Sequence, residues 1–161
     1  DVVKEAGVQG FTEPDPKIDL SGVDVARKIL ILIRESGYEM EMEHIENNCF
    51  LPQECMETTN NEEFFKSLTK HASHFENLLA DAKSKDSRLK FVASFDNGKA
   101  SVGLQFIPKE SPFYNLEGKD NIVEFYTDRY IDQPLIIKGA GAGAAVTASG
   151  IFADVIRIGN V

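Results

Sequence analysis

Tryptophan is absent from this sequence, histidine occurs three times and cysteine twice, and Lys and Arg together number 17 against 26 Asp and Glu. Each shortage excludes something. Cys49 and Cys55 cannot complete a zinc site by themselves, and idle thiols are expected rather than a disulfide. His71 and His74 stand i, i+3 on a predicted helix, a spacing that can bring two imidazoles to one ion. Neither has an acidic or cysteine partner at a metal-motif spacing, so no metal is expected. His44 is isolated. A formal net charge of −9 argues against a nucleic-acid partner, because phosphate binding rests on clustered Lys and Arg. No uninterrupted apolar run approaches the roughly 20 residues that span a bilayer. The opening Asp1-Val2-Val3-Lys4-Glu5 also lacks the basic start and apolar middle of a signal peptide. A cytoplasmic protein with no membrane partner is the expectation.

What remains is an ordinary globular composition: 161 residues, 42% hydrophobic and 27% charged, enough for one domain over residues 1–161. The first eight residues read as the tail of a helix, after which Gly10, Pro14 and Pro16 predict an irregular extended loop. Ser21 offers a hydroxyl cap, and Val25, Ala26, Ile29, Leu30 and Ile33 recur at helical spacing, predicting a helix over residues 22–36. Residues 38–45 alternate and predict a short strand. Asn60 or Asn61 caps one long second helix whose stripe runs Phe64, Phe65, Leu68, Ala72, Phe75, Leu79 and Ala82. Residues 89–95 and 100–107 around Asp96-Asn97-Gly98 predict a hairpin. Strands follow at 122–130 and 134–138, then a glycine-rich run and a closing helix over 144–161. This order fits an α+β fold, a mixed β-sheet layered with helices.

The chemistry concentrates in Gly10-Phe11-Thr12-Glu13-Pro14-Asp15-Pro16-Lys17-Ile18-Asp19-Leu20-Ser21-Gly22-Val23-Asp24-Val25-Ala26-Arg27-Lys28. Two prolines stiffen a loop holding Glu13, Asp15 and Asp19, and the helix beyond it brings Asp24 and Lys28 to one face at i, i+4. Carboxylates suit a substrate ammonium, and a lysine can exchange a proton with an alcohol or carbonyl oxygen. The same residues also fit a plain helix start that complements the macrodipole and carries a surface ion pair. Spacing alone leaves both readings open.

The stretch closely resembles the signature of the homoserine dehydrogenases: Gly, an aromatic, Thr-Glu-Pro-Asp-Pro, two variable positions, Asp-Leu, Ser or Asn, Gly, an apolar residue, then Asp-Val-Ala-Arg-Lys. The likeness continues through Phe125-Tyr126-Thr127 and the run from Gly139-Ala140-Gly141 to Gly143-Ala144-Ala145-Val146-Thr147-Ala148. Phe11 stands where the family usually carries Tyr, and Lys17-Ile18 replaces a common Arg-Asp pair. The resemblance implies hydride transfer between NAD(P) and the pair L-homoserine and L-aspartate 4-semialdehyde, towards threonine, methionine and isoleucine. It implies Lys28 as general acid, Asp24 as the residue that positions the reacting oxygen and tunes the lysine, and Glu13 as ammonium contact with Asp19 in the same polar shell. Gly10, Glu13, Gly143 and Thr147 are the implied cofactor contacts.

Gly139 to Gly143 also imitate a dinucleotide fingerprint, following a strand and opening a helix. No acidic strand end fits about 20 residues on, and no βαβ unit surrounds the run. Small residues that let a helix pack closely explain it equally well. The resemblance further implies a homodimer, and a nucleotide-binding Rossmann domain with a monovalent-cation loop that has no counterpart in these residues, so the fragment alone is expected to be inactive. Residues 144–161 would return towards that domain. A fusion to an aspartate kinase, a preference for NAD or NADP, and threonine feedback are not legible. The competing class is a non-catalytic amino-acid-binding or dimerisation module.

Overall fold

The structure, a computed structural model, describes residues 2–10, 12, 14–118, 120–141 and 143–160. They fall into two compact units, residues 1–114 and 115–161. The first holds α1 (Val2–Val8), α2 (Pro16–Leu20), α3 (Val23–Glu35), a 3₁₀ turn (Met42–His44), β1 (Ile45–Asn48), α4 (Gln53–Met56), α5 (Asn61–Lys70), α6 (Ala72–Ser84), β2 (Ser87–Asp96) and β3 (Lys99–Pro108). The second holds β4 (Asp120–Thr127), β5 (Tyr130–Ala140) and α7 (Ala144–Gly159).

In the first unit β3 is the central strand of a mixed sheet ordered β1-β3-β2. It runs parallel to β1, with Ile45 beside Ala100, and antiparallel to β2, with Phe95 beside Ala100. The Asn97-Gly98 turn sets that register: φ is 48° at Asn97 and 78° at Gly98, the positive pair that a two-residue hairpin turn requires. The apolar stripe of α3 buries Ala26, Leu30 and Ile33 against Met40, Ile45, Ala100 and Val102. Burying Leu30 and Ile33 contributes about 1.5–3 kcal/mol each. A second cluster joins Leu51, Cys55 and Phe64, with Leu20, Leu68 and Phe75 packed on it. The α+β class expected from the sequence is what the chain adopts.

Local expectations differ from the structure at several places in this unit. Of the strand expected over residues 38–45 only Ile45 is in one, opening β1, while 42–44 form the 3₁₀ turn; Arg34 of α3 donates from Nε to the Met40 carbonyl at 3.0 Å and from Nη2 to Glu41 at 2.7 Å, taking an acceptor that a ladder would use. The long second helix breaks at His71, where Lys70 and His71 both turn to Glu54 of α4, at 2.6 and 3.2 Å. The stretch after Pro14 is not irregular throughout: Pro16 opens α2 at a position where its missing N–H costs nothing, and the Asp15 carboxylate caps it through the Lys17 backbone N–H at 3.0 Å. Ser21 does not cap α3. Its hydroxyl donates to the Ile18 carbonyl at 3.2 Å, and Gly22 takes the cap position.

In the second unit β4 and β5 form an antiparallel pair that turns at Asp128-Arg129, so Tyr130 opens β5 rather than closing β4. Pro134, which has no N–H to donate, lies where the register shifts between Phe125 and Thr127.

Candidate functional site

The site is built at the head of α3. Gly22 enters the helix at φ 83°, and a Cβ there would stand 2.4 Å from Phe91 Cζ and 3.0 Å from Asn47 Oδ1. Only glycine satisfies both the left-handed backbone and the approach of β1 and β2. Asn47 closes the corner by donating from Nδ2 to the carbonyl of buried Ser21 at 2.9 Å. This corner fixes the first turns of α3 against the sheet. Asp24 and Lys28 then project together, with Lys28 Nζ 2.7 Å from Asp24 Oδ2 and the two side chains 55% and 39% exposed. The pair is open enough to meet a solute and close enough for the carboxylate to orient the ammonium.

The acidic loop leads into the same corner. Gly10 ends α1 at φ 75°, with its N–H on the Gly7 carbonyl at 3.1 Å. Glu13 lies outside the described residues, as does Phe11. Asp15 is occupied structurally, capping α2 and standing 3.8 Å from Lys17 Nζ. Asp19 is half-buried on α2 and is held by an interaction of its own. Lys17, given no role from the sequence, donates from Nζ to the Thr58 carbonyl at 2.6 Å, and Asn61 Nδ2 donates to the Pro14 carbonyl at 2.9 Å. Neither contact has a local sequence signal, since the partners lie 41 and 47 positions apart.

Gly143 and Thr147 belong to the second unit. Gly143 caps the 16-residue α7 with φ 116° and no side-chain cap, and the Thr147 N–H bonds to the Gly143 carbonyl at 3.1 Å. The amino end of such a helix suits a phosphate or carboxylate oxygen. The glycine run is not a dinucleotide turn, because β5, which leads into it, pairs antiparallel with β4 rather than forming the parallel βαβ unit that fold needs. Nor is close helix packing the reason for Gly141: a Cβ there would lie 1.7 Å from Asn121 Nδ2 of β4.

The histidine pair takes other partners. His71 faces Glu54, and His74 Nε2 lies 2.9 Å from the Phe50 carbonyl. Cys49 is half-buried and Cys55 buried, both as free thiols, with Cys55 Sγ 3.2 Å from Ser67 Oγ. Among the described residues, no helix is long and apolar enough to cross a membrane.

Comparison with known proteins bears directly on the corner at α3. A bifunctional aspartokinase/homoserine dehydrogenase 2 of Arabidopsis thaliana, named as chloroplastic, is 44% identical over 99% of this chain, which spans 18% of that protein. A homoserine dehydrogenase of Schizosaccharomyces pombe is 40% identical over 98% of the chain, here spanning 43% of the relative. The chain thus covers less than half the length of these relatives. A Candida auris crystal structure described as of unknown function superposes with a TM-score of 0.89 at 40% identity, over 99% of this chain and 45% of that one. A putative homoserine dehydrogenase from Archaeoglobus fulgidus gives 0.69 at 26% identity, over 98% and 42%. The family model for homoserine dehydrogenase matches residues 1–156, taking in both the α3 corner and the glycine run before α7, and the chain therefore belongs to the homoserine dehydrogenase family.

Proposed function

We propose that this chain is the substrate-binding and proton-transferring part of an enzyme that interconverts L-aspartate 4-semialdehyde and L-homoserine with NAD(P)(H), in the biosynthesis of threonine, methionine and isoleucine. The observation that carries the reading is the Lys28–Asp24 pair at 2.7 Å, set at the end of the acidic stretch in a chain of this family. In the reductive direction Lys28 gives a proton from Nζ to the carbonyl oxygen as the carbonyl carbon is reduced, leaving a neutral amine that regains its proton from water. Asp24 accepts from Nζ and aims it at that oxygen. Glu13 receives the substrate ammonium, and Asp19 adds negative charge to the same shell.

Bound NAD(P)H supplies the hydride. The uncapped amino end of α7 at Gly143 and Thr147 supports one contact with it, and Gly10 and Glu13 are assigned as cofactor contacts on their own account. Its main berth and a monovalent-cation site are assigned to residues that the longer relatives carry beyond this stretch. A second copy or that further part would cover the apolar residues exposed in the second unit, among them Ile131, Ile137, Ile151, Phe152 and Ile158, and a homodimer is part of this reading. So is a cytoplasmic location.

The test compares the purified 161-residue chain with a chain that also carries the nucleotide-binding part, measuring semialdehyde-dependent oxidation of NADH and NADPH. The longer chain should turn over and the shorter should not. Equal turnover by both would overturn the division of labour.

A further inference from the structure

The head and the tail of α3 are both fastened to the segment that leads through β1. At the head, Asn47 of β1 donates from Nδ2 to the Ser21 carbonyl at 2.9 Å. At the tail, Arg34 donates from Nε to the Met40 carbonyl at 3.0 Å and from Nη2 to Glu41 at 2.7 Å. Between the two, Ala26, Leu30 and Ile33 pack on Met40 and Ile45. The fastenings differ in what they hold. Ser21 is buried at 3% exposure, and Gly22 joins it to the first turn of α3, whose opening bond runs from the Ala26 N–H to the Gly22 carbonyl at 2.9 Å. That helix start has no side-chain cap, so the Asn47 amide and the close fit of Gly22 beside Phe91 seat it against β1 and β2. Asp24 lies on the seated turn, and Lys28 Nζ bonds to it at 2.7 Å from one turn further on. Each stands two residues from buried Ala26, hence about 200° round the helix from it, so Asn47 acts on the pair through the backbone of α3.

We propose that Asn47 is a positioning residue for proton transfer: by holding the Ser21 carbonyl it sets where the head of α3 sits on the sheet, and thereby where Asp24 and Lys28 present the ammonium to the reacting oxygen. The inference rests on the reading of Lys28 as general acid. A misplacement of about 1 Å can cost on the order of a hundredfold in rate. The core residues of α3 still hold the helix when one bond at its head is lost, so the expected cost is a part of that, about tenfold in kcat. Asn47 is itself exposed, and replacing it empties no core.

The experiment uses the full-length enzyme with Asn47→Asp, which keeps the shape and removes the donor, Asn47→Leu, which removes it without adding charge, and Arg34→Met at the other end of α3. Both Asn47 variants should lower kcat about tenfold with the KM values for amino-acid substrate and cofactor within about twofold, while Arg34→Met leaves all three within about twofold. In a Lys28→Ala background Asn47→Leu should cost less than about twofold of the residual rate, because a group that acts through Lys28 then has nothing to place. An unchanged kcat in both Asn47 variants, an equal loss in Arg34→Met, or a further tenfold loss in the Lys28→Ala background would overturn the proposal. Lys28→Ala alone separates the two failures. A slowed Lys28→Ala beside unaffected Asn47 variants refutes the positioning role alone, whereas a fully active Lys28→Ala refutes the reading beneath it.

Discussion

Lys28 Nζ and Asp24 Oδ2 stand 2.7 Å apart across one turn of α3, and both side chains remain substantially open to solvent. An exposed i, i+4 pair of this kind contributes only about 0.3–0.5 kcal/mol to stability. Asp24→Asn and Lys28→Met should therefore leave the urea midpoint nearly unchanged, with a loss under about 0.5 kcal/mol. A loss above about 2 kcal/mol would mark the pair as structural. A small loss makes any effect on turnover a chemical one.

Gly22 answers to the opposite logic, because its value is wholly structural. Gly22→Ala places a Cβ 2.4 Å from Phe91 Cζ at a φ of 83°. The left-handed backbone costs about 1–2 kcal/mol for a residue with a side chain, and displacing a packed ring adds about 1–3 kcal/mol. Denaturant unfolding of the variant should show a loss of about 2–5 kcal/mol. A neutral result would mean that the corner of Gly22, Asn47 and Phe91 does not hold α3 in place.

The break between α5 and α6 carries a pH dependence. Hydrogen bonds from Lys70 and then His71 hold the Glu54 carboxyl below its ordinary value of 4.5, and the Glu54 bond holds Lys70 above 10.5. A depressed carboxyl contributes stability that is present above 4.5 and lost as pH falls through its lower folded value. The raised lysine contributes stability that is present below 10.5 and lost as pH rises through its higher folded value. Thermal melts of Glu54→Gln against the unmodified chain should differ between these limits and converge at strongly acid pH. Parallel curves down to the acid limit would contradict the assignment.

What could be read from the sequence follows the range of the forces involved. The hairpin at Asn97-Gly98 and the stripe from Val25 to Ile33 were legible because turn chemistry and helical period act within a few residues. The break at His71 was not, since neither Gly nor Pro marks it and Glu54, the partner that Lys70 and His71 share there, lies 16 and 17 positions away. The same holds for the Arg34 contact with Met40, six positions away, within the stretch 38–45 where a strand was expected. At the site, the i, i+4 spacing placed Asp24 beside Lys28. The ties of Lys17 and Asn61, and the need for glycine at positions 22 and 141, depend on partners that only the folded chain brings near.

Lys28→Ala in the full-length chain, assayed in both directions with substrate binding measured separately, tests the central claim most directly. General-acid catalysis predicts a fall in kcat of about 10²–10⁴-fold with substrate affinity largely kept. Turnover within about twofold of the unmodified enzyme would contradict it, and would leave the acidic loop as a binding module without chemistry.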